Sequence, residues 1–225
     1  LQPLFNAQRA RSATIAIKNA GVRIHQPSEL NIMLKSYVVN FEPVDYGLES
    51  ERDGLPQWIG LFSKELTRTK RSDSLGYLTV DGDAQLKVVC DLASKLPNLR
   101  MIYLGNVSES GVKSFMNRVD EFARLEAVAL HNCRIPSDCF TKLDRVHCLL
   151  VGAVLPKLTE SQLSDLKEMP NLQSLHIGYP INDTELELLS EFRALRKFSF
   201  SKANVSEAAI NAFEKANPGV IVNKF

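Results

Sequence analysis

The sequence predicts an α/β fold: a right-handed β/α solenoid of about six repeats behind a small N-terminal α/β cap. Three observations predict it. An apolar pattern, aliphatic-x-x-aliphatic-x-aliphatic, recurs from Leu75 onward. A second phrase, "NVSESGVKSF" (Asn106 to Phe115), returns as "KLTESQLSDL", "PINDTELELL" and "NVSEAAINAF". Residues 1–74 carry neither, which sets them apart as a capping region before the repeats of 75–225.

The apolar pattern reads Leu75, Leu78, Val80; Leu99, Ile102, Leu104; Leu125, Val128, Leu130; Val146, Leu149, Val151; Leu172, Leu175, Ile177; and Leu195, Phe198, Phe200. Successive starts are 24, 26, 21, 26 and 23 residues apart. Periods in this range mark stacked units that cannot bury their apolar sides alone. Within a unit, Ile102 and Leu104 share one side of a strand and Tyr103 takes the other. Further on, Val112, Phe115, Met116, Val119 and Phe122 fall at helical spacing and predict one buried stripe.

The repeated phrase is the joint between strand and helix. Ser108, Thr159, Asn182 and Ser206 have side chains able to accept a bond from the free amides of a helix start. Glu109, Glu160, Asp183 and Glu207 follow them, where the helix dipole favours negative charge. The phrase recurs because a strand-loop-helix unit recurs.

These residues resemble the leucine-rich-repeat family over roughly Leu75 to Phe225. The third unit fits best, with Leu125, Val128, Leu130, Cys133 and Ile135 in the L-x-x-L-x-L-x-x-C-x-[LI] form. Elsewhere the Asn/Cys position holds Asp83, Val107, Val154, Pro180 and Ala203, so no continuous asparagine ladder is expected there. The helix-entry phrases are similar to those of bacterial repeat proteins, many of them anchored to a membrane by an upstream helix. The resemblance implies parallel strands on a concave face and helices on the convex one; the spacing carries no information about a catalytic role.

Before Leu75, Phe5 to Ala20 predicts a helix with Ala10, Ala13, Ile17 and Ala20 along one face, stopped by Gly21. Val22 to Ile24 and Ser36 to Phe41 read as short strands. Leu55 to Leu66, with Pro56 near its start, reads as a short helix. The expected role is to cover the first repeat. "NPGVIVNKF" at the other end predicts a short closing strand through Val220 and Val222.

Bulk composition fits a folded domain: 44% hydrophobic, 24% charged, net charge +1. Near-neutrality argues against a nucleic-acid partner, and no apolar run reaches the ~18 residues of a membrane span. The small basic cluster Arg68, Lys70 and Arg71 reads as solvated linker rather than a site for nucleic acid or anionic lipid. The chain begins at Leu1, so an upstream signal or anchor is an open expectation; the compartment is cytoplasmic without one and periplasmic or membrane-associated with one. Cys90, Cys133, Cys139 and Cys148 show no zinc or redox spacing and are expected to be buried and reduced.

Motifs for catalysis are missing: no GxSxG, HExxH, P-loop or GxGxxG. Asp81-Gly82-Asp83 is read as a turn, since a calcium loop needs its Gly and Glu elsewhere. His131 and His176 fall on outward positions two strands apart, about 10 Å between backbones, so polar lining is a better reading than shared zinc. No cofactor or metal is expected.

The pleat leaves one sheet face for binding, and Tyr77, Met101, Tyr103, His131, Leu150 and His176 are its candidate contact residues. Aromatic residues and Met suit a protein interface; a plain solvated sheet, or a face covered by a second copy, are the competing readings. The expected function is non-catalytic binding of another protein through that face. The alternatives are an anchored structural or envelope-associated protein, or an enzyme whose site lies between cap and repeats at His25, Asp81 and Asp83.

Overall fold

Each recurrence of the apolar pattern forms a strand, because alternating side chains on a pleat can be buried as one row. The computed structural model describes residues 12–24, 77–96, 99–152, 157–190, 192 and 194–225. The patterned strands are β2 (Tyr77–Asp81), β3 (Met101–Gly105), β4 (Ala127–His131), β5 (Cys148–Val151), β6 (Ser174–Asn182) and β7 (Lys197–Asn204). β1 (Arg23–Ile24) lies at one end and β8 (Ile221–Lys224) at the other. They make one eight-stranded sheet in chain order. β1 is antiparallel to β2, and every later pairing is parallel. This α/β architecture is compatible with a leucine-rich-repeat-type solenoid.

Register is kept through the core of the strand pairs, so equivalent residues line up in rows; in the β6–β7 pair it shifts beyond Ile177. Leu78, Ile102, Val128, Leu149, Leu175 and Phe198 form one row, with Val222 closing it. Each is buried except Val222, which packs partly buried against the same core. The approach to the strands repeats too. The carbonyls of Arg100, Glu126, His147 and Gln173 each accept two successive N–H groups from the next unit, such as those of His147 and Cys148 on Glu126. Backbone pairing therefore begins one residue before the strands and satisfies groups that burial would otherwise orphan.

Helix α1 over residues 12–19 precedes β1, and α2 (Asp83–Asp91), α3 (Glu109–Met116), α4 (Glu160–Glu168), α5 (Asp183–Leu188) and α6 (Glu207–Ala216) each follow a strand. Val112, Phe115 and Met116 are buried on α3, as the spacing predicts. Val119 and Phe122 are buried as well, but on a separate 3-10 turn at Val119–Glu121. Between β4 and β5 the expected α-helix is replaced by a 3-10 turn, Phe140–Lys142. That unit has the shortest period, and Pro136 offers no N–H to an intrahelical bond. Cys139, Phe140 and Leu143 fill the core there instead.

Four helix starts use their predicted caps, and they solve one problem in two ways. Every cap side chain accepts the N–H of the third helical residue. The cap's own N–H needs an acceptor as well. In α4 and α5 it comes from the same helix: Gln162 Oε1 takes Thr159 N–H at 2.8 Å, and Glu185 Oε2 takes Asn182 N–H at 2.8 Å. These are capping boxes. In α3 and α6 the acceptor belongs to the first residue of another helix start. Asp83 takes Ser108 N–H at 2.9 Å, and Asp183 takes Ser206 N–H at 2.7 Å. The third helical residue is then small, Gly111 or Ala209.

At the N-terminal end, Ala13 and Ile17 of α1 and Val22 belong to the same apolar core as the repeats. Gly21, at φ 75°, ends the helix by donating its N–H to Lys18 O, a left-handed stop that a side chain would strain. The extended Val22–Ile24 expectation appears as β1. The strand expected at Ser36 to Phe41, the helix at Leu55 to Leu66, the basic cluster Arg68, Lys70 and Arg71, and His25 lie outside the described residues. β8 closes the far end as expected.

Candidate functional site

Tyr77, Met101, Tyr103, His131, Leu150 and His176 all project from the sheet face opposite the helix-side core, because each sits one residue from an inward aliphatic. The expectation that this face is open is corrected by burial. Tyr77 and Met101 are each 1% exposed, Leu150 4% and His176 6%. Ala127, Ala129 and Cys148 are buried beside them. None of these seven belongs to the helix-side core, so much of this second face is also removed from solvent. A parallel sheet buried on both faces reads as nearly continuous apolar runs. "MIYL", "AVAL" and "CLLV" are such runs, and they were the available signal.

Two of the six candidates stay half-buried, Tyr103 and His131. Their rings stack with centroids 6.1 Å apart and planes 27° apart. The His131 ring leans over β5, where a Cβ on Gly152 would stand 2.7 Å from His131 Nδ1. Glycine at 152 is therefore what gives the imidazole its place.

Beyond the strand ends runs a short ladder of side chains. Asn106 Nδ2 donates to Asp81 Oδ1 at 2.7 Å, and Asn132 Nδ2 donates to Asn106 Oδ1 at 2.5 Å. Both asparagines occupy left-handed backbone, φ 53° and 51°, a conformation Asn tolerates better than most residues. No ladder was expected at the family's Asn/Cys position, and there Cys133 instead donates its thiol to Leu104 O at 3.3 Å. The asparagines stand one residue earlier, at equal phase in two units. That phase was the signal for them.

The ladder forms one wall of an open cleft of about 790 Å³, also lined by Ser108, Glu109, Ser110, Lys113 and Arg134. It is continuous with the open part of the sheet face, since Asn106 N–H pairs with His131 O at 3.1 Å. Asp81 and Asp83, the acids of the alternative catalytic site, are occupied here as acceptors for Asn106 and Ser108. The described residues bring no group of three His, Cys, Asp or Glu together as metal ligands.

At the other end of the face the chemistry changes. Cys148, Ser174 and Lys197 form one row across β5, β6 and β7, and His176 pairs with Ser199. Burial pushes the His176 imidazole down to about 4, and Lys197 adds to the shift. Burial also holds Lys197 below its ordinary value, opposed by Cys148. The Cys148 thiol is pushed up to about 12 by burial, against a Ser174 hydrogen bond and the Lys197 charge. Near neutral pH the Cys148 thiol and, in the adjacent row, the His176 imidazole are both uncharged.

No family model and no curated protein matches the chain. Among solved structures it is similar to a chain of the crystal structure of a TLR13–ssRNA13 complex, with 13% identity and a TM-score of 0.35. The match covers 65% of this chain and spans 32% of that one. Among the described residues no helix is long and apolar enough to cross a membrane.

Proposed function

We propose that the chain is a leucine-rich-repeat solenoid of about six right-handed repeats with an N-terminal cap, acting as a non-catalytic scaffold that binds another protein. The observation that carries this reading is the shared register of the parallel strands through their core rows, Leu78 to Phe198, which sets side chains in fixed rows before any partner arrives. A rigid surface loses little ordering entropy on association.

The docking surface is narrower than the whole concave face. It is the open corner where the Tyr103–His131 pair meets the cleft of Asn106, Lys113, Asn132 and Arg134. Stacked aromatic side chains with mixed charge at the rim suit a protein partner. The non-catalytic reading is supported by Asp81 and Asp83 serving as acceptors in structural hydrogen bonds.

The test is affinity capture with wild type and with Tyr103→Ala/His131→Ala and Lys113→Glu/Arg134→Glu variants. A partner held by wild type and lost by both variants, with unchanged melting temperatures, is expected. Equal recovery by wild type and both variants would overturn this placement.

A further inference from the structure

On the closed part of the face, Lys197 has no carboxylate acting on it among the described residues, and His176 has an unpaired ring nitrogen. Lys197 is 7% exposed and His176 6%. Lys197 faces Ser174, and His176 faces Ser199 across the β6–β7 pairing, so the two are diagonal neighbours. Among the described residues Cys148 is the group that favours the Lys197 charge, against burial. His176 Nδ1 is buried with no hydrogen-bond partner. A buried ammonium without an anion is costly, and so is a buried ring nitrogen without a bond. Both costs vanish if one acceptor-rich anion sits between them.

We propose that Lys197 and His176, flanked by the hydroxyls of Ser174 and Ser199, bind the carboxylate of a ligand on the β5–β7 part of the sheet. The geometry favours a carboxylate over a phosphate. With His176 held down to about 4, Lys197 is the one side chain of the pair able to supply positive charge near pH 7, and one carboxylate balances one ammonium. A dianion would leave one charge buried and unanswered. No arginine stands in the row to supply the forked pairing that phosphate recognition often uses.

Phe225 lies against the imidazole. Its half-buried ring stacks on His176 with centroids 5.3 Å apart and planes 15° apart. Two backbone bonds hold it, Phe225 N–H to Phe200 O at 3.2 Å and Lys202 N–H to Phe225 O at 3.1 Å. The site is separate from the Tyr103–His131 corner, so it stands or falls apart from the docking reading.

The test titrates the full chain with sodium acetate at constant ionic strength, following the Lys197 ¹³Cε and His176 ring resonances. Saturable shifts of both are expected, with none from inorganic phosphate and none from acetate in Lys197→Met. Parallel titrations use amidated Gly-Glu-Gly and Gly-Gln-Gly. Shifts from acetate alone indicate a free small carboxylate; shifts from the Glu peptide but not the Gln peptide indicate a carboxylate carried on a chain. No saturable shift, an equal response to phosphate, or a response that survives in Lys197→Met overturns the proposal. A second readout is stability: in carboxylate-free buffer Lys197→Met should melt above wild type, since it removes an unpaired buried charge. A lower melting temperature or a failure to fold would mark Lys197 as structural and count against the site.

Discussion

The Asp183 carboxylate accepts both the backbone N–H and the hydroxyl of Ser206, each at 2.7 Å. Asp183 opens α5 and Ser206 caps α6, so one acid ties together the starts of two helices. Asp83 does the same for Ser108.

The Ser206 N–H, and then its hydroxyl, hold the Asp183 carboxyl below its ordinary value. A depressed folded value contributes stability above the unfolded value, about 3.9, and that contribution disappears as pH falls through the folded value. Asp183→Asn should therefore lower the urea midpoint at pH 7. The gap to wild type should close below about pH 4. Paired denaturation curves across that range check it; a gap of constant width would disprove the linkage.

Gly111 should reject alanine. In an ordinary helix the exchange is favourable by up to about 1 kcal/mol. Here a Cβ would overlap the Asp83 carboxylate and stand 2.7 Å from Val107 Cγ1. Gly111→Ala should cost about 1–3 kcal/mol, and much less in an Asp83→Ala background. A double-mutant cycle by urea denaturation measures the coupling.

Asn106 combines a left-handed backbone with two ladder bonds, and two substitutions separate them. Asn106→Ala loses both and pays left-handed strain of about 1–2 kcal/mol. Asn106→Gly loses the bonds but not the backbone freedom, so it should fall between alanine and wild type. Chemical denaturation of the three proteins gives the order.

Gln162 bridges the longest span of its helix start. It closes the α4 capping box and donates to Ile135 O at 2.7 Å and Pro136 O at 2.9 Å. Gln162→Ala should cost about 2 kcal/mol, because buried acceptors are left unmet. Replacing Leu150, which is buried on the closed face, with alanine should cost about 2–5 kcal/mol. Tyr103→Ala, on the open corner, should cost far less. Melting curves of the three variants distinguish closed face from open.

All four cysteines are free and buried, and burial pushes Cys90 up to about 11 and Cys139 and Cys148 up to about 12. Thiolate is the reactive form. The native protein should resist a thiol reagent at pH 8, and all four should react in denaturant. Rapid labelling of any one in the native state would contradict the burial.

Much of this was legible from single residues and their spacing. The aliphatic rows, the caps at Ser108, Thr159, Asn182 and Ser206, the stop at Gly21 and the closing strand all depend on contacts within one unit or with its neighbour. Those contacts obey the periods of strand and helix, which are written along the chain. The missing helix after β4 was foreshadowed by Pro136 and the shortest spacing, though neither says which turn replaces it.

The sequence by itself determined which residues face the helices, because pleat and helix repeat are local geometry. Only the tertiary structure decided that Tyr77, Met101, Leu150 and His176 are covered while Tyr103 and His131 stay accessible. It also decided that Asp83 and Asp183 serve a later helix rather than their own. Parity assigns a side chain to a face but does not say what lies over that face. Burial and partnership across 23 or 25 residues depend on how units stack in three dimensions, which no single repeat encodes.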